Sequence, residues 1–238
     1  MTQASFVLVP GFWLGGWAWD AVAAEIREAG HSIVAVTLPG LDPAETDRGS
    51  VSWADQVDAL SRIVAEAGPR PVLVVHSGAG PIASGVVDRD PEAVSRVIYV
   101  DSGPSGHRPE PDPDVPVDLE ELPLPSWSEL EQGGNSLAGL SQEQLANFAA
   151  RAVPEPAGVP RGPVVLTNEA RRAVPCTVVC CSMPSAQIRQ LTADGHPWMA
   201  ELAAMSAVSY VDLPTGHWPM WSKPAELAAV LLDAASAS

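Results

Sequence analysis

The chain has 238 residues, 46% of them hydrophobic and 18% charged. That content supports a large core in one domain, or one domain carrying an insertion, and excludes disordered, collagen-like and small disulfide-scaffold classes. Thirteen basic residues stand against 29 acidic ones, a formal charge of −16 with Lys223 as the sole lysine, so nucleic acid and anionic membranes are not expected partners.

Met1-Thr2-Gln3-Ala4 lacks a basic n-region, so no secretory signal is read there. Phe6 to Val9 is a short apolar run closed by Pro10-Gly11 and reads as a buried strand. Trp17 to Ala29 has helical spacing and stops at Gly30, a natural C-terminal cap. Ser32 to Val36 is a second strand. Ser52 is placed to cap a helix running to about Ala67, where Gly68-Pro69 ends it. Pro71 to Val75 and Val97 to Val100 are further strands, with a helix over Gly80 to Val87 between them. Strands this continuously apolar are buried on both faces, as in a parallel sheet covered by helices.

The segment from Gly103 to Val174 breaks the alternation. Pro104 to Pro125 is crowded with prolines and carboxylates, and Ser141 to Ala152 reads as an amphipathic helix capped by Ser141. The alternation then resumes. Cys176 to Cys181 and Val208 to Leu213 read as strands, and Gly195 to Met205 and Pro224 to Ala235 as helices. The expected organisation is an α/β core of residues 1–102 and 175–238, with 103–174 inserted as a lid. Cys176, Cys180 and Cys181 lie together in one apolar run, which makes them core thiols of a reducing, cytoplasmic compartment. No apolar run approaches the ~20 residues of a membrane span.

Val72-Leu73-Val74-Val75-His76-Ser77-Gly78-Ala79-Gly80 carries the strongest chemical signal. A buried strand runs into a serine, then small residues, then a helix. A serine at such a turn is strained and exposed, and the helix N-terminus behind it favours developing negative charge. These residues resemble the nucleophile elbow of the α/β-hydrolase family. Val75 and Ala79 replace the two glycines of the family's G-x-S-x-G pattern. The loop Leu213-Pro214-Thr215-Gly216-His217-Trp218, between the last strand and the last helix, resembles that family's histidine loop. Phe12-Trp13-Leu14-Gly15-Gly16, after the first strand, resembles the oxyanion loop of small bacterial serine hydrolases in the methylesterase and hydroxynitrile-lyase branch, with Pro10 where histidine is common.

The resemblance implies an α/β-hydrolase fold with a mostly parallel sheet of about six strands and helices on both faces. It implies Ser77 as nucleophile, His217 as base, and the amides of Phe12 and Gly78 as oxyanion donors. The acid is less direct. Most members carry an aspartate after the strand matching Cys176–Cys181, where this chain has Ser182-Met183-Pro184-Ser185. Asp101, directly after Val97–Val100, is the expected acid, as in the haloalkane dehalogenases. A dyad oriented by Ser182 or water is the alternative. Trp13, Trp127, Trp198 and Trp218 are the expected substrate contacts, with Phe12 and Trp221 further candidates.

The expected activity is hydrolysis of a carboxylic ester or thioester of a small apolar or aromatic substrate. Two other chemistries stay open. A cyanohydrin lyase of this branch needs a lysine after the catalytic histidine, where this chain has Trp218. A non-hydrolytic member could bind or cyclise a ligand on the same fold. No cofactor or metal is expected: Gly78-Ala79-Gly80 lacks a glycine three places on, no P-loop lysine exists, and Asp112, Asp114 and Asp118 do not form a calcium loop. A homodimer is left open.

Overall fold

The computed structural model describes residues 3–45 and 47–236; Met1 and Thr2, part of the stretch read for a signal, lie outside them. Chain order begins β1 (Ser5–Val9), α1 (Asp20–Glu28), β2 (Ser32–Ala35), α2 (Trp53–Glu66), β3 (Val72–His76), α3 (Gly80–Arg89) and β4 (Arg96–Val100). The segment after β4 holds β5 (Glu121–Leu122), α4 (Trp127–Gln132), α5 (Gln142–Arg151), β6 (Glu155–Pro156) and α6 (Gly158–Arg161). Then come β7 (Cys176–Cys180), α7 (Ser185–Ala193), α8 (Ala200–Ala204), β8 (Val208–Asp212), α9 (Pro219–Ser222) and α10 (Pro224–Ser236).

Six strands form one sheet in the order β2-β1-β3-β4-β7-β8, and every pairing in it is parallel. Alternate residues of its strands feed opposite cores. Val7, Val9, Leu73, Val75, Val97 and Tyr99 pack with α2 and α3 on one face. Phe6, Leu8, Val74, Ile98 and Val100 pack with α1 and α10 on the other. All five residues of β3 are buried, which is why the central strand reads as an unbroken apolar run. The three cysteines are free and buried in and just after β7. No helix among the described residues is long and apolar enough to cross a membrane.

Local signals place most helix ends. Ser52 and Asp55 form a reciprocal capping box on α2, and Ser141 and Gln144 do the same on α5. Gly30, at φ +90°, follows the last turn of α1. The first turn expected of that helix is a tight 3₁₀ turn instead, Gly16–Trp19, and Gly16 lies so close to the Ala35 carbonyl that no side chain fits there.

One helix is misplaced by sequence reasoning. The residues expected as a helix over Gly195–Met205 form a 3₁₀ turn, Pro197–Met199, followed by the short α8. Gly195, at φ +71°, terminates α7, a helix no local signal announced. Its N-terminus is capped from afar: the Ser185 amide and hydroxyl both donate to the Asp212 carboxylate, at 2.7 and 2.6 Å.

Between β4 and β7, β5 and β6 pair antiparallel, and an isolated bridge joins Arg108 to Val164. This segment is fastened to the core near its active edge. Trp13 donates its indole N–H to the Leu122 carbonyl, and Val153 donates its amide to the Trp13 carbonyl, each at 3.0 Å.

Candidate active site

Ser77 sits at the carboxyl end of β3, in a left-handed conformation with φ +51°. A non-glycine residue held there costs on the order of 1–3 kcal/mol and persists only where its surroundings enforce it. The surroundings here are backbone at close range. A Cβ on Gly80 would come within 2.4 Å of the Gly103 carbonyl, and one on Gly11 within 2.8 Å of Ser77 Cβ. A Cβ on Gly78 would collide with the Phe12 ring at 2.5 Å. Val75 is accommodated because it is an ordinary sheet residue: it pairs with Val9 and Tyr99 and points into the α2–α3 core, away from the turn.

His217 reaches Ser77 from the loop after β8. The Ser77 hydroxyl lies 2.8 Å from His217 Nε2, and His217 Nδ1 lies 2.6 Å from Asp101 Oδ2. Two carbonyls of the segment between α4 and α5 hold this loop: the His217 amide donates to Ser136 at 2.7 Å and the Gly216 amide to Ala138 at 3.1 Å.

Asp101 follows β4 with φ +43° and leans across the end of β7. Its Oδ1 accepts the amides of Cys181 (3.1 Å) and Ser182 (2.9 Å), and its Oδ2 accepts the Ser182 hydroxyl at 2.6 Å. Burial alone would push this carboxyl up. The hydrogen bond and charge of His217, with the bonds from Ser182, outweigh burial and hold it below the ordinary carboxylate range.

A second histidine braces the first. His76 is buried, accepts the Gly11 amide on Nδ1 at 3.3 Å, and donates Nε2–H to the His217 carbonyl at 2.7 Å. Burial, with His217 beside it, pulls its pKa down to about 3, so it is a neutral ring with a fixed tautomer. It ties the loop after β1, the serine turn and the histidine loop together.

A cavity of about 720 Å³ opens at Ser77, walled by Pro104, Val178, Ile188, Trp198, Met199 and Leu202. A smaller one of about 250 Å³ lies beside Phe12 and Gly78, against Trp53, Val159 and Val164. Of the four tryptophans expected to contact substrate, Trp198 lies on the larger cavity, with 83% of its surface exposed. The other three line neither of these two cavities. Trp13 is held by the inserted segment. Trp127 and Trp218 pack on the buried Phe148, at ring distances of 5.5 and 5.3 Å. Trp221 joins the same cluster at 5.0 Å from Phe148 and stacks on Trp17.

A hydroxyl, an imidazole and a carboxylate in line can make the hydroxyl a nucleophile. The alpha/beta hydrolase family model matches residues 6–230. The chain belongs to the alpha/beta hydrolase family. Among curated relatives, a carbendazim hydrolyzing esterase of Nocardioides sp. (strain SG-4G) is 36% identical over 42% of this chain and 42% of its own length. Methyl jasmonate esterase 1 of Vitis vinifera is 26% identical over 97% of this chain and 96% of its own. The match thus spans under half the length of the first of these relatives. Among solved structures, an extracellular alpha/beta-hydrolase from a Paenibacillus species superposes with a TM-score of 0.77 at 16% identity, covering 98% of this chain and 99% of that one. That likeness establishes the α/β-hydrolase fold, and both of these curated relatives are themselves named as esterases.

Proposed function

We propose that this α/β hydrolase is a serine esterase acting on a carboxylic ester or thioester with an apolar or aromatic group, through Ser77, His217 and Asp101. The contact chain Ser77 Oγ to His217 Nε2 to Asp101 carries the reading. Ser77 Oγ attacks the carbonyl carbon as His217 takes its proton, and Asp101 stabilises the imidazolium. The amides of Phe12 and Gly78 receive the oxyanion. The tetrahedral species collapses, the C–O or C–S bond breaks, and His217 protonates the departing alcohol or thiol. Water then gives a proton to His217 and attacks the acyl-enzyme; the C–Oγ bond breaks, His217 returns the proton to Ser77 Oγ, and the acid leaves.

The apolar walls of the larger cavity suit the bulkier part of the substrate, and the smaller cavity the other. Residues 103–174 act as the lid. The lyase alternative loses support because Trp218, in the position where a lysine would be needed, is buried against Phe148.

A fluorophosphonate probe tests the reading directly. It labels the wild type and fails to label Ser77→Ala. Equal labelling of both, or no turnover of p-nitrophenyl butyrate by the wild type, overturns it.

A further inference from the structure

Glu155, in β6, is fully buried beside the loop that carries Phe12. Its Oε2 accepts the Trp13 amide at 3.4 Å. Its Oε1 has no hydrogen-bond partner among the described residues. The neighbouring side chain is Gln56 of α2, also fully buried. Gln56 donates Nε2–H to the Pro39 carbonyl at 3.0 Å, and its own Oε1 is unpartnered as well. Two buried acceptor oxygens without partners are an unfavourable arrangement, because neither regains the bond it gave up with bulk water.

Trp13 makes the site matter. It is left-handed, with φ +66°, directly after Phe12. Its amide, carbonyl and indole are held by Glu155, Val153 and Leu122, all from the inserted segment.

We propose that Glu155 is kept as a neutral carboxylic acid, donating its proton to Gln56 Oε1 while its Oε2 fixes the Trp13 amide, so that losing the proton loosens the loop over residues 10–16. Glu155 is a positioning residue: it acts on the loop, not on substrate. Its link to catalysis rests on the esterase reading.

The charged groups of the surrounding elements are occupied elsewhere. Glu121 of β5 faces Arg48 at 3.9 Å, Asp55 of α2 caps Ser52, and Glu45 accepts the Gly40 amide. None of them forms an ion pair with Glu155 among the described residues. Burial pushes the Glu155 carboxyl up to about 8, against the smaller opposing pull of the Trp13 amide and the nearby Gln56 side chain. The folded chain therefore holds a proton that the unfolded chain releases near pH 4.3, and stability from this group declines as pH rises from there through about 8.

Glu155→Gln is the decisive variant, since its amide supplies a permanent donor to Gln56 and keeps the acceptor for Trp13. Hydrogen–deuterium exchange of peptides spanning 10–16, corrected for the intrinsic pH dependence, reads the loop without reference to activity. The expected result is protection that falls at least fivefold in the wild type between pH 7 and 9.5 and holds in Glu155→Gln. The Tm gap in favour of Glu155→Gln widens from pH 5 to 8. With p-nitrophenyl butyrate, kcat/KM of the wild type turns down above pH 8, while the variant stays within threefold of wild type at pH 7 and lacks that limb. Identical exchange and parallel Tm curves in the two proteins overturn the proposal. If exchange and Tm behave as expected but neither protein turns over ester, the esterase reading fails and the protonated Glu155 stands.

Discussion

His76 donates its Nε2–H to the carbonyl oxygen of His217 at 2.7 Å, so the residue before the proposed nucleophile positions the backbone of the proposed base. The bond crosses 141 positions of sequence. It works because His76 stays neutral: a protonated ring could not accept the Gly11 amide on Nδ1.

Replacing His76 with Phe keeps the ring volume and removes both bonds. It leaves the His217 carbonyl and the Gly11 amide unpaired, a cost of about 1–3 kcal/mol per buried group. The expected kinetic result is a fall of about 10–100-fold in kcat with KM little changed, the pattern of a transition-state loss. Steady-state kinetics with p-nitrophenyl butyrate and a melting curve check both halves.

Asp101→Asn preserves shape and removes the charge that fixes the His217 tautomer. An expected loss of about 10⁴-fold in kcat follows from the roles assigned to such an acid. The same variant reports on stability. Asp101 titrates below the ordinary carboxylate value in the folded chain, so it stabilises the fold above about pH 3.9, and that contribution disappears as pH falls through its folded pKa. The stability difference between wild type and Asp101→Asn therefore shrinks from pH 5 towards pH 2, as urea unfolding at several pH values measures.

Ser182→Ala removes one of the groups holding Asp101 and leaves the two amides in place. The loss of the hydroxyl bond costs about 1 kcal/mol. It lets the Asp101 pKa rise, which moves the acid-side loss of stability to higher pH. Activity at neutral pH falls less than for Asp101→Asn. If Ser182→Ala and Asp101→Asn are equally inactive, the serine is itself the orienting group.

The tryptophans separate into two classes with opposite readouts. Trp198→Ala, at an exposed position on the larger cavity, leaves Tm nearly unchanged and raises KM for bulky aryl esters over short acyl ones. Phe148→Ala empties the centre of the Trp127–Trp218–Trp221 cluster and destabilises by about 3–5 kcal/mol. Its effect on KM is small as long as the protein remains folded. Calorimetry beside kinetics distinguishes them.

The parallel sheet was legible in the sequence because Val72–Val75 and Val97–Val100 are unbroken apolar runs, buried throughout. The elbow was legible because close approach demands small residues locally, at Gly78 against the Phe12 ring and at Gly80 against the Gly103 carbonyl. What escaped notice depends on partners far along the chain. The cap of α7 comes from Asp212, and the use of Trp13, Trp127 and Trp218 as packing residues depends on where the inserted segment folds back. Glu155 looked like one acid among 29. Its burial, with no ion-pair partner among the described residues, is a property of the fold, with no local sign in Val153-Pro154-Glu155-Pro156.

The inserted segment begins immediately beyond Ser102, next to Asp101, and its Ser136 and Ala138 carbonyls carry the His217 loop. One ionisable partner of Ser77 is thus held by the stretch that also supplies Val159 and Val164 to the smaller cavity, and the other stands just before it. Swapping residues 103–174 for those of a relative would exchange more than substrate preference: the new piece would have to re-create the spacing between acid and base. A change in this segment therefore bears on the smaller cavity and on the seat of the His217 loop together.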